Sequence, residues 1–375
     1  MHFTLKVVAG TANLDLAMEV CRFLNADLST AIVERFKDGE IKVQVEDSVR
    51  GCDCFVFQPT CRPVNDNIME LCLIIDALRR ASAARITAVV PYYSYARQDR
   101  KTKPRVPIAA AMLARFLEAS GVDHVITLEL HAGQIQGFFK VPVDNISTRS
   151  VMVNSIKKLF LNHMNNLVIV TPDAAGGERS ERFRSYLKSE EDIEAEFAVM
   201  NKWKTKLEEF STKKSAGTQI RIAPNKKEFK MELMGNVQGK VCIIVDDIAD
   251  TGSSLLAAAK CLRKNGAIKV IACVSHCLLN EDGLRSVVHD RNLDHLIITD
   301  TVPVLTVSEL PPTLNTRKLH ERAPSSPAFG GVDMDVDIQE AKSVCPKVIH
   351  VSVAHLIAES IRRVHNEESI SSGLL

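Results

Sequence analysis

No apolar run in the chain reaches the ~18 residues that a membrane-spanning helix needs, which argues against a helical membrane protein. The ten cysteines include no Cys-x-x-Cys pair, which argues against a zinc centre. Cys52, Cys54, Cys72, Cys242 and Cys273 lie in apolar surroundings and read as small core residues in a reducing compartment. An excess of one charge is missing too. The net charge is +1, so nothing global draws the chain to nucleic acid or to a membrane surface. The opening "MHFTLKVVAGTANLDLAMEV" lacks the basic region and apolar stretch of a signal peptide and reads as a strand and loop. The closing "SGLL" is not the Ser-Lys-Leu peroxisomal signal, so the cytoplasm is the expected location.

What is present is an alternation. Strand-like runs such as "LKVVAG", "CFVFQ", "ITAVVPYY" and "HVITLEL" are separated by helix-period segments such as "NIMELCLIIDALRRASA". The pattern predicts an α/β fold with mainly parallel sheets flanked by helices. At 375 residues the chain is too long for one ordinary core, so two domains are expected. The halves also align: "ALRRASAARITAVVP" lies over "CLRKNGAIKVIACVS" without a gap, "VDHVITLE" over "LDHLIITD", and "VRGCDCFVFQP" over "VQGKVCIIVDD". Three matches in one order favour two copies of a single domain. The expected divisions are 1–148, 149–346, and a final strand and helix at 347–375 that pack back on the N-terminal domain. Segment 201–234 is lysine-rich with poor periodicity and reads as a mobile basic loop. Segment 306–346, with its Pro, Gly and Ser clusters, reads as irregular connection.

The most informative stretch is "VCIIVDDIADTGSSLLAAAK". In a parallel sheet, ligands sit at the carboxyl ends of strands, where this run delivers Asp246 and Asp247. The following turn, Asp250, Thr251, Gly252, Ser253 and Ser254, opens a helix near Leu255. A helix N-terminus is an anion site, and Gly252 lets backbone approach closely while the hydroxyls add donors. Phosphate beside two carboxylates makes sense for a sugar phosphate, whose hydroxyls can bond the acids. The plainer reading, that Asp250 and Ser254 only cap the helix, leaves two consecutive aspartates at the end of a buried strand unexplained. In the alignment Asp246 and Asp247 fall opposite Gln58 and Pro59, so only the second copy keeps the acidic pair.

This stretch resembles the 5-phosphoribosyl-1-diphosphate motif shared by type I phosphoribosyltransferases and ribose-phosphate diphosphokinases. Five further segments resemble the diphosphokinases in particular, in that family's order: "ERFKDGEIKVQVEDSVRGCDCFVFQ", "PYYSYARQDRK", "LELHAGQIQGFF", "VTPDAAGG" and "RRVHNEES". The resemblance implies two tandem phosphoribosyltransferase-like domains and transfer of the diphosphoryl group of Mg-ATP to O1 of ribose 5-phosphate, giving 5-phosphoribosyl 1-diphosphate and AMP. It implies that Arg97, Gln98 and Lys101 meet ATP, although such a cluster is most often a solvated basic loop. It also implies that His131 and Asp173 hold Mg²⁺, although a lone histidine is more often structural. Phe36, Asp38 and Glu40 belong by resemblance to a hairpin that holds adenine in a neighbouring subunit, which implies a homo-oligomer, a hexamer in relatives; an ordinary exposed turn is the plainer reading. Asp246, Asp247, Asp250, Thr251, Gly252, Ser253 and Ser254 would bind ribose 5-phosphate. Lys202 and Lys204, with His131, would carry catalysis. A site for activating phosphate or inhibitory nucleotide would involve Arg50, Ser82, Ser369 and Ser371.

The chain departs from the family at several points. Lys204 stands where relatives have arginine, which keeps the charge and loses the bidentate fork. Thr102 replaces an acid, Ser253 a glycine and Ala111 a lysine, 306–346 is an insertion, and the tail lacks the usual aromatic ending. Two rivals follow. A phosphoribosyltransferase that consumes phosphoribosyl diphosphate would have no need of "YARQDRK", His131 or a second copy. A noncatalytic regulatory homologue would fit the altered loop, but it would be expected to lose residues retained here.

Overall fold

The computed structural model describes residues 3–160, 166–204, 211–215, 218–222, 229–303 and 347–370. The first sheet contains β1 (Leu5–Ala9), β2 (Leu28–Ser29), β5 (Asp53–Phe57), β6 (Arg85–Val90), β7 (His124–Leu128) and β8 (Val143–Ile146). All its strands are parallel, in the order β2-β1-β5-β6-β7-β8. Its connections are the helices α1 (Leu14–Leu24), α2 (Val64–Arg80) and α3 (Ala109–Ser120), and a 3₁₀ turn at Gly133–Phe138. A separate hairpin, β3 (Ala31–Arg35) with β4 (Ile41–Val45), packs on α2. After α4 (Arg149–Phe160) the second sheet forms from β9 (Leu167–Thr171), β10 (Ala195–Lys204), β13 (Phe229–Met234), β14 (Val241–Ala249), β15 (Lys269–Cys277), β16 (His295–Thr299) and β17 (Val348–Val351). Its order is β13-β10-β9-β14-β15-β16-β17, parallel except for β13. Its helices are α5 (Gly177–Glu191), α6 (Ser253–Lys264) and α7 (Glu281–His289), and the chain continues from β17 into α8 (Ala354–His365).

The two copies superpose in connectivity: β1, β5, β6, β7 and β8 correspond to β9, β14, β15, β16 and β17. Even the side-chain braces repeat. Asp123 accepts from the Ile86 amide at 2.8 Å and from Arg79, and Asp294 accepts from the Val270 amide at 2.6 Å and from Arg263. Each carboxylate ties the start of one strand to its neighbour and to the preceding helix. The shared "LR" and "D-H" of the aligned segments are therefore structural.

Each copy gives its last helix to the other. Helix α4 follows β8 of the first sheet, yet Met152, Val153 and Ile156 pack with Ile169, Phe183, Ile243 and Ile297 of the second. Helix α8 follows β17 of the second sheet, yet Leu356, Ile357, Ile361 and Val364 pack with Val20, Phe55, Phe57 and Ile126 of the first. The strand expected to return to the N-terminal domain instead pairs in parallel with β16, and only α8 crosses. Val348 is fully buried in the cluster that joins the second sheet to α6 and α7, which fixes β17 in the second core.

The segment expected as an irregular basic loop is also partly ordered into strands. Residues Lys202 to Lys204 continue β10 and pair antiparallel with β13, and a second hairpin joins β11 (Ser211–Ser215) to β12 (Thr218–Ile222). The reason lies in "FKMELM": Met231 and Leu233 alternate with charged residues and pack on the second core. That short period-2 stretch is masked by the lysine-rich sequence around it. Segment 306–346 lies outside the described residues.

Candidate active site

Strand β14 carries the site because it outruns its neighbour. Its pairing with β9 ends at Ile244–Val170, whereas its pairing with β15 continues to Ala249–Cys277. Asp246 and Asp247 thus lie on paired strand whose other edge is free of β9. Alternation then sends them to opposite faces. Asp246 shares the face of Cys242 and Ile244, which pack with α6, while Asp247 shares that of Ile243 and Val245, beneath α5.

Asp247 has both oxygens engaged. Oδ2 meets His131 Nδ1 at 2.6 Å, and Oδ1 accepts from Arg179 Nη1 at 3.2 Å. Arg179 also donates from Nη2 to the His131 carbonyl at 3.2 Å, and its Nε lies 3.7 Å from Glu129 Oε2. His131 and Glu129 follow β7 of the first copy, whereas Asp247 and Arg179 belong to the second. This buried cluster therefore clasps the two copies together. Burial works against charge on Asp247, but the His131 hydrogen bond and the Arg179 cation overcome it and hold the carboxyl well below the usual range. Burial, followed by the charge of Asp247, pushes Asp246 up. The Asp247 hydrogen bond raises His131.

Glu129 sits in the left-handed region, φ 40°, which costs a non-glycine residue ~1–3 kcal/mol. Several contacts hold it there: its amide bonds the Ile146 carbonyl at 3.0 Å, and its carboxylate accepts from the Thr148 amide at 3.0 Å. Behind it, buried His276 on β15 contacts Thr301 Oγ1 at 2.9 Å through Nδ1 and the Leu128 carbonyl at 3.1 Å through Nε2.

The turn after β14 starts its helix earlier than expected, at Ser253 rather than near Leu255. The N-cap is Gly252 at φ 74°, a conformation that suits glycine. Thr251 and Ser253 are exposed and share a hydroxyl–hydroxyl bond of 2.6 Å, and Ser254 is the next residue of α6. Asp250 turns its carboxylate to two arginines of the first copy, Arg97 Nη1 at 2.8 Å and Arg62 Nη2 at 3.4 Å. The capping reading of Asp250 is thereby replaced by an inter-copy ion pair.

In the first copy the matching place is filled. Gln58 is fully buried, its amide donates to Glu70 at 2.9 Å and its carbonyl accepts from the Ala12 amide, while Thr11 also bonds Glu70. A Cβ added at Gly10 would fall 2.5 Å from both side chains, so little room is left.

Residues 5–121 match the family described as the N-terminal domain of ribose phosphate pyrophosphokinase, and residues 163–311 match the phosphoribosyl synthetase-associated domain. A ribose-phosphate pyrophosphokinase of Maricaulis maris is 39% identical over 98% of this chain and 99% of its own length. One from Nitrosomonas europaea is 37% identical over 98% of each. The chain belongs to the ribose-phosphate pyrophosphokinase family. The crystal structure of phosphoribosylpyrophosphate synthetase from Mycobacterium smegmatis matches with a TM-score of 0.75 at 29% identity, over 97% of this chain and 99% of that one. Its fold is that of two phosphoribosyltransferase-like domains. The reading as a family enzyme holds, and a noncatalytic homologue is not favoured.

With this pyrophosphokinase frame, the remaining expected residues can be placed. Asp173 is exposed beyond β9, and its Oδ1 accepts from the Gly176 amide at 3.0 Å. Gln98 and Lys101 are exposed on the same loop as Arg97, where the Gln98 amide bonds the Tyr95 carbonyl at 2.9 Å. Phe36, Asp38 and Glu40 occupy the tip of the β3–β4 hairpin, outside the His131–Asp247 cluster. Phe36 leaves 53% of its surface exposed. Lys202 and Lys204 lie on β10 opposite Met231 and Phe229; their side chains are outside the described residues. Arg50 Nη1 reaches Ser82 Oγ at 3.4 Å, the Ser369 carbonyl accepts from Arg363, and Ser371 is outside the described residues.

Sequence reasoning missed Arg62, Glu129, Arg179 and His276. Arg179 carried a usable signal: a cation in the first turn of α5 is misplaced against the helix dipole unless carboxylates face it. Arg62 carried none beyond its charge.

The residues present fit a hard cation that keeps waters and phosphate oxygens. Among the described residues no three His, Cys, Asp or Glu side chains gather into a metal cage. Asp247 engages His131 at Nδ1, and a carboxylate on one ring nitrogen is the arrangement usual where the other nitrogen binds a metal. No helix among the described residues is long and apolar enough to cross a membrane.

Proposed function

We propose that this chain transfers the diphosphoryl group of Mg-ATP to O1 of ribose 5-phosphate, giving 5-phosphoribosyl 1-diphosphate and AMP for nucleotide biosynthesis. The observation that carries the reading is the convergence at the copy interface. The acid pair and hydroxyl turn come from one copy, and His131 and Arg97 from the other. Each copy alone holds half of a two-substrate site.

The turn Thr251–Gly252–Ser253–Ser254 receives the 5-phosphate at the α6 N-terminus, where amides and hydroxyls donate. Asp246, on the turn's face of β14, accepts from ribose hydroxyls. Asp247 orients His131 rather than the sugar, because both its oxygens are committed. Arg97, Gln98 and Lys101 hold the nucleotide, and Phe36, Asp38 and Glu40 supply the adenine pocket of a neighbouring subunit in a homo-oligomer. His131 and Asp173 hold Mg²⁺, which when bound neutralises charge on the phosphate oxygens. Lys202 and Lys204 supply catalytic positive charge for the transferring group. In such a reaction the protein mainly positions the reactants and neutralises charge. Phosphate would act as an activator near Arg50 and Ser82.

The test is AMP formation from Mg-ATP with and without ribose 5-phosphate, in phosphate buffer. Sugar-dependent AMP with an equal amount of phosphoribosyl diphosphate is expected, and Asp247→Ala should abolish both. No AMP from a protein that still binds both substrates would overturn the catalytic reading.

A further inference from the structure

Arg62 falls between the short motifs quoted from the sequence, yet the fold delivers it to the site. Strand β5 ends at Phe57, and the chain then runs through Thr60 and Cys61. Thr60 is bonded to the end of β6 in both directions. Its amide and hydroxyl donate to the Tyr92 carbonyl at 2.9 and 3.0 Å, and its hydroxyl accepts from the Ser94 amide at 2.8 Å. Cys61 is buried with Tyr92 and Val302, where the two copies touch. The Arg62 and Arg97 segments are thus braced as one unit, and their guanidinium groups converge on opposite oxygens of Asp250.

The pairing is weakly held. The Arg62, Arg97 and Asp250 side chains are 61%, 49% and 35% exposed, and open ion pairs contribute little. Two cations sharing one carboxylate leave a net positive charge beside the phosphate-binding turn. A phosphate group, with more charge and three acceptor oxygens, is the better partner for a pair of planar guanidinium forks.

Resting on the function proposed above, we propose that Arg62 is a second arginine for the phosphate chain of ATP, acting beside Arg97. Asp250 holds both arginines in the free enzyme and yields them when the nucleotide arrives. Arginine transfer off Asp250 then frees that carboxylate at the moment the sugar site must fill, so nucleotide binding readies the turn for ribose 5-phosphate.

The experiment measures binding of a non-hydrolysable Mg-ATP analogue by calorimetry, alongside steady-state kinetics, for wild type, Arg62→Ala, Arg62→Lys and Asp250→Asn. Arg62→Ala should weaken the analogue by about tenfold, as expected for losing a charge-assisted contact, with Arg62→Lys between it and wild type. The KM for ribose 5-phosphate should stay within about twofold. Asp250→Asn, which removes the competing anion, should tighten the analogue in the absence of sugar. Unchanged analogue affinity in Arg62→Ala would overturn the proposal. So would a selective rise in the KM for ribose 5-phosphate, which would make Arg62 a residue that merely positions Asp250. Analogue binding needs no turnover, so failure of the diphosphokinase reading would show separately as binding without AMP.

Discussion

Replacing Arg179 by methionine tests the clasp between the copies most directly. The side chain is 16% exposed and its Asp247 partner 5%, so the pair is far less screened than a surface bridge. At 3.2 Å and an effective dielectric constant of ~20, the attraction is on the order of 5 kcal/mol before desolvation is counted. Removing one partner of such a pair strands the other and costs ~3–5 kcal/mol. Asp247→Asn alone should cost less, ~2 kcal/mol, because Glu129 still faces Arg179 and the amide keeps the shape. With both changes the Asp247 charge is no longer stranded, although Glu129 still loses its cation, so the double variant should lose less than the two single losses combined, with a coupling of ~2 kcal/mol. The measurement is a double-mutant cycle by urea unfolding, followed by far-UV circular dichroism, at low salt and at 0.5 M salt. Additivity within ~0.5 kcal/mol would refute the clasp, as would a coupling that disappears in salt.

Two further outcomes follow from neighbouring features. Burial depresses His276, so the unfolded chain takes up its proton more readily; its stabilising effect is full above ~6.5 and falls as pH drops towards the folded value. The stability difference between wild type and His276→Gln should therefore shrink from pH 7.5 to pH 5, and a difference that grows on acidification would contradict the assignment. Gly252→Ala places a Cβ at φ 74°, in ordinary contact with Leu279 and Val287, so it should cost ~1–2 kcal/mol through the backbone and raise the KM for ribose 5-phosphate more than that for ATP.

The α/β class and the duplication were legible because buried parallel strands are short, apolar and evenly punctuated, and because the Arg79–Asp123 brace recurs as Arg263–Asp294 at matching positions. The acidic turn was legible because its residue types have few other uses at a strand end. Roles within the acid pair were not. Sequence spacing places Asp246 and Asp247 together, while strand alternation gives only Asp247 the His131 contact and the shorter Arg179 contact, 3.2 Å against 4.0 Å for Asp246. Contacts between copies were equally hidden: Arg62 and Asp250 are 188 positions apart, and no local pattern links them. The β13 strand was missed because its six-residue alternation sits inside a lysine-rich stretch.

The exchange of α4 and α8 constrains how such a protein can be cut, shuffled or inherited. A gene fragment ending near residue 148 would encode the first sheet without the helix that covers Phe55, Phe57 and Ile126. A fragment starting there would keep α4 but carry α8 with nothing to cover. Neither half is a module that recombination could lend to another protein. With α4 and α8 exchanged the two copies stand or fall together, the first with its matching place filled by Gln58 and Glu70 and the second with the acidic pair.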